Sequence, residues 1–285
     1  MKNLLLLASL IIIMTACNNN SPKSDSSAKE HELVLKWETD STLKVPESVL
    51  FDKDNQVLYV SNIDGSDPWG ADGKGSIGKV GLDGKIISVD WVTGLNAPKG
   101  LGMYNGKLYA ADLTKLVIID IASGKIDSSV SISGAVGLND ITIDNKGIVY
   151  ISDSPGKKVF RFENGKSELL LDSLTGPNGL LIKDNELYVL DNMGMYKMNA
   201  DKSLIKIIDG LDGNADGLEN VAGEDYLISC WEGLIWYLNA DGSKEILLDT
   251  KAQQKNTADI GFDPDSKTVY VPTFFKNTIA AYEVK

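Results

Sequence analysis

"GPNGLLIKDNELYVLD", residues 176–191, has two apolar runs, Leu180–Ile182 and Leu187–Leu190, flanking the polar Lys183–Glu186. Apolar, turn, apolar is the pattern of a β-hairpin. Asn178-Gly179 stands just before the first run, and Asn-Gly is a strong hairpin-turn signal. Yet the turn is already supplied by Lys183-Asp184-Asn185-Glu186, so Asn178 calls for another explanation. It comes from the rest of the chain, because the same unit recurs. It appears as "VPESVLFDKDNQVLYVSN" (45–62), "APKGLGMYNGKLYAAD" (97–112) and "GLNDITIDNKGIVYISD" (137–153). It returns as "NADGLENVAGEDYLISC" (214–230) and "TADIGFDPDSKTVYVPT" (257–273). Further strand-like segments follow each copy, such as "KLVIID" and "LIWYLNADGSKEILL".

A period near 40 residues with about four strands per unit marks a β-propeller blade. Six units predict an all-β, six-bladed propeller over residues 31–285, which a solenoid or an eight-stranded barrel explains less well. The last unit has room for three strands only, ending in "TIAAYEV". The fourth is expected from "ELVLKW" at 32–37, which closes the ring across the termini and removes open sheet edges. Composition agrees: 27 glycines and 8 prolines in 285 residues, with Tyr-rich pairs between Gly/Asn/Asp clusters, favour many short strands.

In the aligned units the polar residue before the first strand is Glu47, Lys99, Asn139, Asn178, Asp216 and Asp259. One such residue per blade, at the start of the innermost strand, predicts a ring around the central channel. Glu47, Asn139, Asn178 and Asp216 offer two carboxylates and two amide carbonyls. Hard oxygen donors of this kind suit Ca²⁺, which takes about 6–8 oxygens, with Mg²⁺ or Mn²⁺ as alternatives. A structural Zn²⁺ site would want Cys or His. Strand caps are the competing explanation, but a cap should repeat one residue type, and this position varies. Lys99 is expected either to pair with Glu47 or Asp259 or to meet an anion or oxyanion. Asp259 beside Asp216 offers a pair of carboxylates in which one pKa is raised, useful as a general acid or base.

A second column closes the second strands: Asn62, Asp112, Asp153, Asp191, Cys230 and Thr273. These read mainly as structural caps, on the same face as the ring. Blade one carries an extra Gly-rich segment with Trp69, spanning about 63–78, expected over that face as a lid or as a plain surface insertion. Its "GKGSIGK" (73–79) nearly matches a phosphate loop, but Val80 follows and no helix pattern does, so nucleotide binding is not expected.

The net charge of −12 argues against nucleic acid and against unaided adsorption to anionic membranes. The start of the chain is more specific. Met1-Lys2-Asn3, an apolar run from Leu4 to Met14 and Thr15-Ala16-Cys17 read as a secretory signal, 1–16. The ending resembles a bacterial lipobox whose Cys17 becomes the lipidated first residue. Residues 17–30 suit a flexible tether. An exported lipoprotein on the periplasmic or outer-membrane side is expected, touching membrane only through its anchor, as a monomer acting on a small molecule. Of two cysteines, Cys230 remains and reads as a buried small residue. The one histidine, His31, lies at the tether, so no Ser-His, Cys-His or His-rich metal site can be assembled.

On Pro46-Glu47, Asn139-Asp140, Pro177-Asn178-Gly179 and Asp216-Gly217-Leu218, the chain resembles the gluconolactonase/regucalcin/luciferin-regenerating superfamily of Ca²⁺-dependent propeller hydrolases. The resemblance covers roughly residues 32–285. It implies that Glu47, Asn139, Asn178 and Asp216 hold a metal that polarises a lactone or ester carbonyl, with Asp216 also as base. The repeats are similar to NHL-type propellers as well, which implies the alternative of a non-catalytic ligand- or protein-binding module with a structural ion.

Overall fold

The computed structural model describes residues 31–212 and 214–285. The signal, Cys17 and tether segments lie outside the described residues. Among those described, no helix is long and apolar enough to cross a membrane.

Among the described residues, twenty-four strands form six antiparallel sheets of four, each in simple meander order apart from the last. The first strands of blades one to six are Pro46–Asp52, Pro98–Tyr104, Leu138–Ile143, Pro177–Lys183, Ala215–Ala222 and Gly261–Asp263. The sixth sheet is completed by Leu33–Glu38, which pairs antiparallel with Ile279–Val284, Leu33 opposite Val284. Closure across the termini is therefore made by the expected segment, displaced by one residue. The inner strands are packed on both faces by neighbouring blades and read as near-continuous apolar runs; Val57–Asn62 is buried along its whole length. The outermost strands face water, as in Lys125–Ser131. The apolar residues between blades one and two, including Tyr59, Ile77, Leu101 and Leu108, show how adjacent sheets bury each other.

In blades one to four the second strand ends in a side chain that grips the backbone leading into the first strand. Asp112 accepts the N–H groups of Asn96 and Ala97 at 2.9–3.0 Å, immediately before Pro98. Asp153 accepts those of Val136 and Gly137 at 2.8 and 2.9 Å. Asp191 accepts those of Thr175 and Gly176, and Asn62 takes that of Lys44 at 3.1 Å. Thr257 and Thr273 hydroxyls tie the ends of blades five and six instead. The second column is thus a set of clamps in blades one to four.

Beyond the clamp, most first strands carry a β-bulge near their start, between Pro98 and Leu101, Leu138 and Ile141, Pro177 and Leu180, and Ala215 and Leu218. A bulge re-aims side chains, and here successive residues reach the axis. Crowding there is severe. A Cβ on Gly179 would lie 2.4 Å from the carbonyl oxygen of Asp216, and one on Gly100 2.5 Å from the Cα of Asp140. Gly179 is therefore room for the neighbouring blade, not half of a turn.

Two outcomes follow. Gly179→Ala lowers stability by about 1–3 kcal/mol in urea melts, because the backbone of blade five must move. Asp153→Ala lowers it by about 1–3 kcal/mol, because it strips the partner from the buried Gly137 N–H and from the partly buried Val136 N–H; a loss below about 0.5 kcal/mol would contradict the clamp.

Candidate active site at the channel mouth

Five of the six expected ring residues, Glu47, Lys99, Asn139, Asn178 and Asp216, line one cavity of about 610 Å³ at the mouth of the channel. Asn178 lies in its floor, away from the hairpin turn at Lys183–Glu186. The sixth, Asp259, does not join them. It pairs in parallel with Ser48, and its N–H donates to the Glu47 carbonyl. It therefore belongs one layer deeper, level with Ser48, Gly100, Asp140, Gly179 and Gly217. The ring position in blade six falls to the buried Ala258. Below this second layer, Val49, Leu101, Ile141, Leu180, Leu218 and Ile260 line an inner cavity of about 240 Å³ shared with Asp140, Glu219 and Asp259.

The floor is nearly dry: Glu47, Lys99, Asn139 and Asp216 are 3–8% exposed. Lys99 Nζ lies 3.5 Å from Glu47 Oε1, so of the two pairings open to it in the sequence, Glu47 is the partner. Glu47 Oε2 is buried with no hydrogen-bond partner. Asn178 Nδ2 donates to Asp216 Oδ1 at 2.8 Å. Asn139 Nδ2 donates to Ser154 Oγ at 2.9 Å, and that hydroxyl donates to the Pro177 carbonyl. Both amides thus spend their nitrogen on a neighbour and leave the carbonyl oxygen as a cation donor. Burial pushes the Glu47 carboxyl upward, opposed by Lys99. The Asp216 carboxyl is also pushed up, by burial and by the charges of Glu47 and Asp259, against Lys99 and Asn178.

These features fit a hard dication: an orphaned carboxylate oxygen, a second carboxylate and two amide side chains line one largely buried floor. Among the described residues no three His, Cys, Asp or Glu side chains gather closely enough to hold a metal alone. Any ion here depends on the asparagines.

The segment 63–74 reaches over this mouth. It is shorter than the sequence suggested, because Gly75–Gly81 is the third strand of blade one; no helix follows "GKGSIGK". Trp69 lies over Lys99, ammonium to ring centre 4.5 Å. It packs on Gly137, where a Cβ would sit 2.6 Å from the indole. Across the cavity stand Trp231, Phe274 and Phe275, in edge-to-face contact with centroids 4.7–6.2 Å apart. Sequence reading missed these three. Their signal was the one that placed Trp69: aromatics directly following a second strand, in "SCWEG" and "PTFFKN". Cys230 is fully buried and its thiol is pushed up to about 12, chiefly by burial, so it is inert as a nucleophile.

No protein-family model matches the chain, and no curated protein matches it by sequence. Solved structures share the fold over nearly the whole chain. A protein provisionally designated a gluconolactonase superposes with a TM-score of 0.67 at 18% identity, covering 90% of this chain and 93% of its own. A streptogramin B lyase gives 0.63 at 13% identity, covering 90% and 97%. A catalytically inactive histidine-to-alanine variant of virginiamycin B lyase from Staphylococcus aureus, with quinupristin, gives 0.62 at 15%, covering 89% and 99%. At these identities the likeness is one of fold.

The deeper carboxylates carry a pH prediction. Glu219 is pushed from 4.5 up to about 8 by burial and by Asp259, against a backbone N–H from Phe262. Asp259 is pushed up to about 7 by burial, with the Glu47 charge adding and the Ser48 hydroxyl opposing. Asp140, which shares this cavity, is raised as well. The folded state therefore keeps protons that the unfolded chain loses, so these groups' stabilising contribution is full below about pH 4.5 and falls as pH rises to about 8. In EDTA, Tm should drop between pH 5 and 8.5, and Glu219→Gln should shrink that drop. An unchanged pH slope in the variant would contradict this placement.

Proposed function

We propose that this chain is a metal-dependent hydrolase of the gluconolactonase type, acting on a lactone or related ester, with Ca²⁺ held by Glu47, Asn139, Asn178 and Asp216. Mg²⁺ or Mn²⁺ suits the same oxygens. The observation that carries the reading is the orphaned Glu47 Oε2 facing the same floor as Asp216 and two amide oxygens. A dication bound there supplies Lewis-acid polarisation of the ester carbonyl. The chain's own groups do the rest. Asp216, held by the Asn178 amide, takes a proton from the attacking water as its oxygen bonds to the carbonyl carbon. The Lys99 ammonium lies beside the developing oxyanion. The ring C–O bond then breaks, and the proton passes from Asp216 to the leaving alkoxide, giving a hydroxy acid. Asp259 acts on this step only through its charge, which raises Asp216. In location, the reading is of an exported lipoprotein anchored through Cys17, working as a monomer.

Lyase chemistry of the kind lost in the histidine variant of virginiamycin B lyase has no equivalent side chain at this mouth. The sole histidine, His31, stacks on Tyr237 at 3.8 Å and bonds Glu245 at 2.7 Å, on the outer strands of blade five. One observation favours a second reading, a non-catalytic binding propeller: buried Lys99 already gives Glu47 a positive partner.

Calcium added back to EDTA-stripped protein separates the two. The hydrolase reading expects a higher Tm and turnover across a lactone panel, with kcat falling at least about 100-fold in Asp216→Ala and Asn178→Ala. Stabilisation without turnover indicates the binding module, and no response to any divalent ion overturns the metal site.

A further inference from the structure

We infer that the substrate is amphipathic: a lactone whose ring edge is polar and whose substituent is an apolar alkyl or aryl group, not a polyol lactone. This rests on the hydrolase reading for the reaction and on the cavity walls for the ligand. The mouth has two unlike halves. On the side of blades three to five, Asn139, Asn178, Asn192, Asn214 and Ser154 border a recess of about 210 Å³. That side can meet a ring oxygen or a hydroxyl next to the carbonyl. The other half is Trp69 with Pro68 on one flank, and Trp231, Phe274 and Phe275 on the other. Apart from the floor itself, no charged side chain lines it.

An aldonolactone carries hydroxyls all round its ring. Those turned toward the aromatic half would lose water and gain no partner, a cost that falls on each of them. An alkyl chain or phenyl ring meets the same surface with a gain proportional to the area removed from water.

The exposed apolar side chains show the same polarity of design. Of the ten large hydrophobics most exposed among the described residues, six lie on outermost strands: Leu35, Ile87, Ile126, Leu169, Ile205 and Ile207. The other four lie in connections of the mouth face, Trp69, Val136 and Met193 on loops and Phe275 in the short 3-10 turn Phe274–Lys276. Phe275 is 52% exposed while it also lines the cavity. An aromatic left half in water at a cavity edge offers an apolar substituent a surface on its way in.

The test uses Ca²⁺-loaded protein and two probe series. The first is δ-valerolactone with 6-methyl, 6-propyl and 6-pentyl substituents, beside glucono-1,5-lactone. The second is the matching 6-alkyl δ-lactams, which resist hydrolysis, titrated by tryptophan fluorescence. The expected result is a rise in kcat/KM of about fourfold per methylene until the wall is filled, the equivalent of about 0.8 kcal/mol each, with the gluconolactone slowest. Lactam Kd should tighten in parallel. Phe275→Ala, at a half-exposed position, should retain the fold by its melting curve and compress both slopes, while Phe275→Leu restores them in part. Tightening lactam affinity with no lactone turned over supports the apolar site and overturns the hydrolase reading. Turnover with a flat or reversed chain-length series, or with gluconolactone preferred, overturns this inference and leaves the hydrolase reading standing. A response in neither series overturns both.

Discussion

The carboxylate at the end of a blade's second strand, gripping the two N–H groups that precede the first strand, is the contact on which the mouth depends. A ring of floor side chains from five distant sequence segments has to be aimed by something more rigid than loops. Asp112, Asp153 and Asp191 do this in the same way, each accepting two consecutive backbone N–H groups one step ahead of Pro98, Leu138 and Pro177. Two charge-assisted bonds accepted by one carboxylate hold the strand start in register. The next residues, Lys99, Asn139 and Asn178, inherit their direction from that grip. Blades five and six lack the aspartate. There Thr257 and Thr273 bind backbone carbonyls instead, and it is in blade six that the ring pattern slips by one residue.

Closing six strands on one axis has an electrostatic consequence. Glu47, Asp140, Asp216, Glu219 and Asp259 are drawn together around two small cavities on the axis, and every one of these carboxyls is pushed upward. Lys99 is the one cation among the ring side chains. Buried carboxylates are tolerated when they are paired, protonated or bound to a metal, and the two layers divide these solutions. In the deeper layer, Asp140 is held by the N–H groups of Leu180 and Ile141 at 2.6 Å, and Asp259 by the Ser48 hydroxyl. In the floor, Glu47 keeps an oxygen with no hydrogen-bond partner, the oxygen that the proposed cation would engage.

The fold was open to sequence reading because it is repetitive. Six copies of one hairpin cannot be arranged in many ways, and an N-terminal strand was needed to complete the sixth sheet. Most of the floor was open too, since one polar residue recurs before each first strand. Asp259 was misplaced because "TADIG" copies the Ala-Asp of "NADGL". The residue after it tells the true register. Ile260 belongs with Val49, Leu101, Ile141, Leu180 and Leu218, an unbroken aliphatic column, and that alignment moves Asp259 down beside Asp140. The aromatic wall of Trp231, Phe274 and Phe275 escaped because each lies outside the repeat. What sequence could not convey is which amide atoms are free, because that depends on contacts such as Asn139 with Ser154 across a loop.

The central claim is that four side chains of the floor converge on one cation. It is tested most directly by a crystal structure of the protein grown with Ca²⁺, using anomalous scattering to locate the ion. The account predicts a single strong peak in the mouth within about 2.3–2.6 Å of oxygens from Glu47, Asn139, Asn178 and Asp216, with Lys99 displaced from Glu47. A floor without a peak, with Lys99 still on Glu47 at saturating Ca²⁺, would contradict it.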